Sequence, residues 1–407
     1  MNEGKYGLHV ENDGTITMKG KPYYGFGVNL YSTFAHCYEQ YESARFREDF
    51  ALLRKWDIPY ARIPFSGYDP GYYDFFDAHT DEMLARMEAV LDEAEKNHVG
   101  LILSLMWWDP ALSAHVGEKR SAMGDVNSKT IAYAKRYVSI ILEHFADRRC
   151  IWGWEIGNEY NLTADLCDPA YKKYLWPDRY EQMPHSRVNG YDFYTSEELQ
   201  VFFREIASLI RQYDAYRLIS SGNGEMRACA HALHMAAQKK DPVTHLWQLP
   251  SAPECAGDTQ EDFYAMNAYM TPEPMDTMCF HLQHGTLHQE PPRYTMTVNY
   301  WGEMSHGRYF EEYVKAAKQA KKGLFFGEFG DFIDAEHLPD LEEKFVTVLN
   351  WVVDAGIQLA ATWQFAASRE PFVVDEGRQG MKLTHLRAAN EQFRQAGKQP
   401  IDGGWSE

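Results

Sequence analysis

A chain of 407 residues, 45% apolar and 14% aromatic, has ample material for a large buried core, and this composition excludes a disordered chain. Its formal charge of −19 argues against nucleic acid as a partner, because phosphate binding needs clustered Lys and Arg that the sequence does not show. No run approaches the roughly 18 apolar residues of a membrane span, and the six cysteines (Cys37, Cys150, Cys167, Cys229, Cys255, Cys279) form no CxxC pair that would signal zinc or a disulfide framework.

Along the chain, His9 to Met18 read as a hairpin with Asp13-Gly14 as its two-residue turn. From Tyr23 onward, apolar strand-like runs alternate with amphipathic helical stretches, the signature of parallel βα units. Strands are expected near Tyr23–Leu30, Ile58–Pro64, Gly100–Trp107, Ile151–Asn158, Arg217–Gly222, Met275–Leu282, Gly323–Gly327 and Ile357–Trp363. Between them Phe46, Phe50, Leu53 and Trp56 share a helix face, as do Ala134, Val138, Ile141 and Phe145. Thr195 with Glu198 forms a capping-box pattern ahead of Leu199, Phe202, Phe203 and Ile206. The stripe Leu341, Phe345, Val348, Val352 stops at Gly356, a left-handed C-cap. Eight such units predict an α/β fold, a (β/α)8 barrel of the TIM type in a single domain. Three connections, Tyr160–Tyr194, Glu225–Pro274 and Gln283–Gly307, are too long to be simple links; all follow strands, so they are expected to wall the face where barrel sites lie.

Two strands end in carboxylates. Ile151-Trp152-Gly153-Trp154-Glu155-Ile156-Gly157-Asn158-Glu159 closes on Asn158 and Glu159, and Gly323-Leu324-Phe325-Phe326-Gly327-Glu328 closes on Glu328. Acidic groups are seldom buried unless paired or functional. Either alone has a plainer reading as a structural ion pair. Together they suggest glycoside cleavage, in which one carboxyl protonates the leaving oxygen and the other attacks the anomeric carbon. The surplus of Trp and Tyr suits sugar faces, with extra core packing as the plain alternative.

From Gly25-Phe26-Gly27-Val28-Asn29 to Trp363 the chain resembles glycoside hydrolase family 5, the cellulase and mannanase family of barrel enzymes. The resemblance rests most on Gly157-Asn158-Glu159. It implies Glu159 as general acid/base, Asn158 on the sugar 2-hydroxyl, Glu328 as nucleophile and Arg62 as the cation that keeps it ionised. It further implies His281 at the sixth strand and Trp363 as the platform beneath the sugar, with Trp107 beside them. Arg62 has a plainer reading as the partner of Glu155 inside the barrel, and His281 as a core histidine. The sequence departs from the family where a tyrosine usually follows the strand-six histidine: here stands His281-Leu282-Gln283, so Gln283, Tyr269 or Tyr300 would have to substitute. The strand-three end, Met106-Trp107-Trp108-Asp109, also lacks the polar histidine that many members carry.

Other constellations fail. Leu30 stands where a dinucleotide fingerprint needs its third Gly, the pairs His231/His234 and His281/His284 lack a zincin glutamate, and no GxSxG elbow or P-loop occurs. No cofactor and no metal are implied. The expected partner is an oligosaccharide, cleaved with retention. Exo action of the β-mannosidase or β-glucosidase kind is expected from the long connections, with Trp176, Trp247 and Tyr269 as candidate stacking rings. An endo-acting β-glucanase or β-mannanase is the alternative, and a non-catalytic sugar-binding barrel a minor one. The start of the chain lacks an apolar stretch, so a cytoplasmic location is expected, although a trimmed secreted chain would read the same. Oligomeric state, sugar and linkage are not encoded legibly.

Overall fold

The computed structural model describes residues 6–33, 37, 41–167, 192–227, 229–284, 297–299, 302–331, 338–365, 374, 376–377 and 379–405. Its first residues form a small antiparallel sheet of β1 (Leu8–Val10), β2 (Ile16–Met18) and β3 (Lys21–Pro22). The expected hairpin is present, but its turn has three residues rather than two. Glu11 N–H donates to Thr15 O and Gly14 N–H to Glu11 O, both at 2.9 Å, so Asn12, Asp13 and Gly14 span the turn. Gly14 takes φ +88°, the left-handed position such a loop requires.

Eight strands then close a barrel: β4 (Gly25–Asn29), β5 (Tyr60–Pro64), β6 (Gly100–Met106), β7 (Ile151–Gly157), β8 (Leu218–Ser220), β9 (Thr277–His284), and, after the short pair β10 (Thr297–Asn299) and β11 (Gly302–Met304), β12 (Gly323–Asp331) and β13 (Leu359–Thr362). All neighbours that bracket the barrel pair in parallel, including β13 with β4. Every expected barrel strand is therefore observed, shifted by a few residues at the ends.

Side chains alternate across the strands, except that a register shift between Ile151 and Gly153 of β7 turns Trp152 inward while Trp154 faces outward. Ala61, Ile63, Leu103, Trp154, Ile156, Phe280 and Phe326 face outward into the layer of helices. Tyr60, Ile102, Trp152, Leu218, Phe325 and Leu359 face inward and form an apolar plug. Leu8, Val10, Ile16 and Met18 of the small sheet pack on that plug, so the N-terminal sheet seals the lower end of the barrel. A Cβ on Gly323, at the start of β12, would come within 2.9 Å of Ile16, which shows how closely this sheet sits.

The helices follow their sequence signals. Thr195 and Glu198 close a capping box on the helix Ser196–Tyr213, whose Leu199, Phe202, Phe203 and Ile206 are buried. Gly356 has φ +78° after the helix Leu338–Ala355. The connection Glu225–Pro274 differs from expectation. It is not an irregular wall but carries three helices, Ala230–Ala237, Ala252–Cys255 and Gln260–Tyr269. Among the described residues, no helix is long and apolar enough to cross a membrane.

Candidate active site

Two residues above the apolar plug the barrel interior turns polar. Tyr60 gives way to Arg62 on β5, Ile102 to Ser104 on β6, and Leu218 to Ser220 on β8, all buried. The decisive break in alternation lies on β12. Phe326 pairs with Phe280 of β9, but Glu328 pairs with His281, so β12 bulges at Gly327. Phe326 and Phe329 both face outward, which leaves Glu328 turned into the barrel. Gly327 is required there: a Cβ would lie 2.6 Å from His281 Nε2 and 2.8 Å from Cys279 Sγ.

Glu159 reaches the same space from just beyond β7. Its backbone is left-handed, φ +56°, and its N–H donates to Gly222 O at 2.8 Å. A non-glycine residue in that region is strained, and such strain concentrates at functional sites. One carboxylate oxygen of Glu159, one of Glu328 and a ring nitrogen of His281 all lie within 4.8 Å of one another. His281 Nδ1 is 3.0 Å from Glu159 Oε1 and 3.6 Å from Glu328 Oε1.

Arg62 is fully buried beneath them, and its guanidinium is satisfied on every edge. Nη1 donates to Glu328 Oε1 at 2.6 Å and to Asn29 Oδ1 at 3.0 Å, and Nη2 donates to Asn158 Oδ1 at 2.8 Å. Nε donates to Glu155 Oε1 at 2.8 Å, with Nη2 2.7 Å from the same oxygen. The two readings of Arg62 are thus both true: it pairs with Glu155 and with Glu328. Trp107 lies against its face, Cζ 4.6 Å from the ring centroid.

Burial sets the protonation of the trio. It pushes the Glu159 carboxyl above the usual carboxylate range, with Arg62 opposing. It also raises Glu328, against the pull of His281 and Arg62, so the expected lowering by the cation is outweighed by desolvation. Burial pulls His281 down to about 4, which leaves the ring neutral near pH 7. With His281 neutral, Arg62 is, among the described residues, the cation bonded to Glu328 that stabilises it as a carboxylate.

Aromatic rings wall one side. Tyr31 stands 5.2 Å from Trp363, 5.7 Å from Trp107 and 4.9 Å from Tyr68 between ring centroids. Trp363 is partly exposed, whereas Trp107 is only 4% exposed, so Trp107 shapes Arg62 and leaves little face for a ligand. Of the expected stacking rings, Trp247 is buried against Ala236 and Ala237, and Tyr269 packs on His234 at 4.8 Å. Both serve loop packing. Trp176, Tyr300 and the Gln283 side chain lie outside the described residues. Asn29, which donates to Gly327 O at 2.8 Å while holding Arg62, was not singled out by sequence. Its signal was a polar residue closing the apolar first strand.

Glu159, His281 and Glu328 have donor types a divalent cation accepts, but Arg62 on Glu328 disfavours a second positive charge there. A second group, His231, Asp258 and Asp262, is already employed. Asp258 accepts the His231 and Ala232 N–H groups, and Asp262 closes a capping box with Thr259.

No protein-family model matches the chain, and no curated protein matches it. Solved structures do resemble it in fold. An endo-1,4-β-mannanase from Rhizomucor miehei superposes with a TM-score of 0.61 at 17% identity, over 95% of this chain and 99% of that one. A glycoside hydrolase family 5 mannosidase from the same organism gives 0.60 at 12% identity, over 97% and 100%. An exo-β-1,4-mannosidase from Opitutaceae bacterium strain TAV5 gives 0.61 at 16% identity, over 96% of this chain and 63% of that one. At such identities the likeness is one of fold, a parallel barrel ringed by helices.

Proposed function

We propose that this chain is a retaining β-glycoside hydrolase in which Glu159 is the general acid/base and Glu328 the nucleophile. The observation that carries the reading is the meeting of two carboxylates and a histidine within 4.8 Å, with an arginine bonded to only one of them. Two carboxyls so close share a proton, because ionising both sets like charges together. Arg62 bonds Glu328, so the carboxylate is Glu328 and the proton stays on Glu159. Retaining pairs stand roughly 5–5.5 Å apart and inverting pairs about 6.5–9.5 Å, which favours retention here.

In the first step the Glu328 oxygen attacks the anomeric carbon while Glu159 gives its proton to the glycosidic oxygen. The carbon–oxygen bond breaks, the alcohol departs, and a glycosyl ester remains on Glu328. Glu159, now a carboxylate, takes a proton from water as that water attacks the same carbon. The ester bond breaks, Glu328 regains its charge and Glu159 its proton. Asn158, whose Oδ1 is held by Arg62, keeps its amide donor for the sugar 2-hydroxyl, and Trp363 offers a ring face to the sugar. His281 acts as a neutral dipole on both carboxyls. The residues need no cofactor for this chemistry, and the whole chain serves as one catalytic domain.

The names of the similar structures, mannanases and mannosidases, favour a β-mannoside. Exo action is favoured by the length of the segments that follow β7, β8 and β9, three strands adjacent in the barrel. Endo action is the second reading. A screen of aryl β-mannoside, β-glucoside, β-galactoside and β-xyloside tests the activity, and absence of turnover on all four points to a sugar-binding barrel. Proton NMR of the first product is expected to show the retained anomer, and an inverted one would demote Glu328 to a base. Chromatography of a labelled hexasaccharide is expected to show monosaccharide first; early mid-length fragments mean an open cleft.

A further inference from the structure

We propose that Glu155 is a positioning residue that divides the charge of Arg62 between two carboxylates and thereby sets how firmly Glu328 is held ionised. This inference rests on the glycosidase reading of Glu328 for its consequence, but its structural basis is separate.

Glu155 is 0% exposed and sits on β7, three residues before Asn158 and four before Glu159. Its Oε1 takes both the Nε and Nη2 edge of Arg62, while Glu328 takes Nη1. The two carboxylates therefore occupy different edges of one guanidinium, with Trp107 on its face and Asn29 and Asn158 on its remaining donors. Glu155 Oε2 is buried with no hydrogen-bond partner among the described residues. Gly222 packs closely on this carboxyl: a Cβ there would lie 2.7 Å from the Glu155 carboxyl carbon and 2.9 Å from Oε1.

A buried carboxylate with one oxygen unsatisfied is costly, and an apolar residue of like volume would serve packing as well or better. What an apolar residue would not do is compete with Glu328 for Arg62. One positive charge facing a single carboxylate would hold that carboxylate fully ionised and poorly nucleophilic. Facing two, it holds each less tightly. Among the described residues, the other titratable or charged groups that face Glu328 include Glu159 from the end of β7 and Cys279 and His281 from β9; of the nearby neutral polar groups, Asn29 comes from β4, Ser104 from β6 and Ser220 from β8. Burial keeps the Cys279 thiol and the His281 ring neutral, so Arg62, Glu155, Glu328 and Glu159 carry the balance. The ionic attraction to Arg62 is ordered accordingly, Glu155 first and Glu328 second.

Two variants separate charge from packing. E155Q keeps the acceptor oxygen and removes the charge, so Arg62 turns wholly to Glu328. The acid limb of the kcat/KM profile on an aryl β-glycoside is then expected to move to lower pH by about one unit, with the plateau kcat reduced several-fold. E155D keeps the charge and shortens the reach, drawing the guanidinium away from Glu328, and the acid limb is expected to move to higher pH. A merely structural Glu155 would lower the melting temperature of both variants and leave both limbs on the wild-type curve, which overturns the proposal. The Glu328 carboxyl is also titrated directly by carbon NMR on protein with labelled glutamate, its signal assigned with E328Q. If wild type turns over no aryl β-glycoside while this titration moves in opposite directions in the two variants, the glycosidase reading falls and the charge division stands. If wild type is active and the titration is unmoved, the charge division falls and the glycosidase reading stands.

Discussion

The two ends of the barrel interior are built from the same strands and do opposite work. At the lower end Tyr60, Trp152 and Phe325 interlock, with Tyr60 and Trp152 centroids 6.3 Å apart and Tyr60 and Phe325 6.5 Å apart, and the N-terminal sheet covers them. Two or three residues further along the same strands stand Arg62, Glu155 and Glu328, all buried and all ionisable. Apolar contact at the lower end stabilises the fold by removing surface from water. Buried charges above it contribute little net stability, and they hold each other in fixed geometry at the cost of desolvation. The difference teaches that a substitution at the upper end is expected to change rate with little change in melting, and one at the lower end the reverse.

Glu328→Ala sets the largest contrast. Turnover is expected to fall by about four orders of magnitude or more, since no covalent intermediate can form. The melting temperature is expected to stay within a few degrees of wild type, because Arg62 keeps Glu155. A large fall in melting temperature, read by circular dichroism, would break the division between the two ends. Glu159→Ala comes next. On a substrate with a poor leaving group kcat/KM is expected to fall about a thousandfold, and much less on an activated aryl glycoside, with azide accelerating the latter. If azide instead rescued the Glu328 variant alone, the two roles would be exchanged.

Trp152→Ala tests the lower end. Removing this ring from the plug is expected to cost about 3–5 kcal/mol of stability in denaturant titration. The kcat of the protein that remains folded is expected to stay within about twofold of wild type, since distant sites act independently. The smallest effect sharpens the comparison through pH. Folding pulls His281 from the ordinary 6.5 down to about 4. Between those values the unfolded chain binds more protons than the folded one, so the stability from a neutral buried His281 is full above pH 6.5 and is lost as pH falls toward 4. The loss is expected to be on the order of 3 kcal/mol. Urea titrations across that window should show His281→Asn lacking this part of the slope; an unchanged slope would assign the pH dependence elsewhere.

Much of this was legible from residue order. A strand ending in Asn158-Glu159 and another ending in Glu328 need no tertiary information to be noticed, because apolar runs that close on a carboxylate stand out against the cost of burying one. The capping box at Thr195 and Glu198 and the stop at Gly356 are local signals, and local backbone chemistry produced what they announced. Trp247 and Tyr269 mark where such reading ends. Nothing in their spacing distinguishes a ring on a sugar from a ring on Ala236 or His234, because that depends on where three helices of one connection come to rest.

By itself, then, the sequence determined the eight-strand alternation and the helix ends and marked two strand-end carboxylates, since each of these signals lies in residues close together along the chain. Only the closed barrel decided that Glu328 turns inward, because that needs a bulge at Gly327 measured against β9. It alone decided that Arg62 serves two carboxylates at once, and that Asn29 and Trp107 fix its plane. The reason is geometric: burial and charge balance are properties of what surrounds a group on every side, and in a barrel those surroundings come from strands more than a hundred residues apart in the chain.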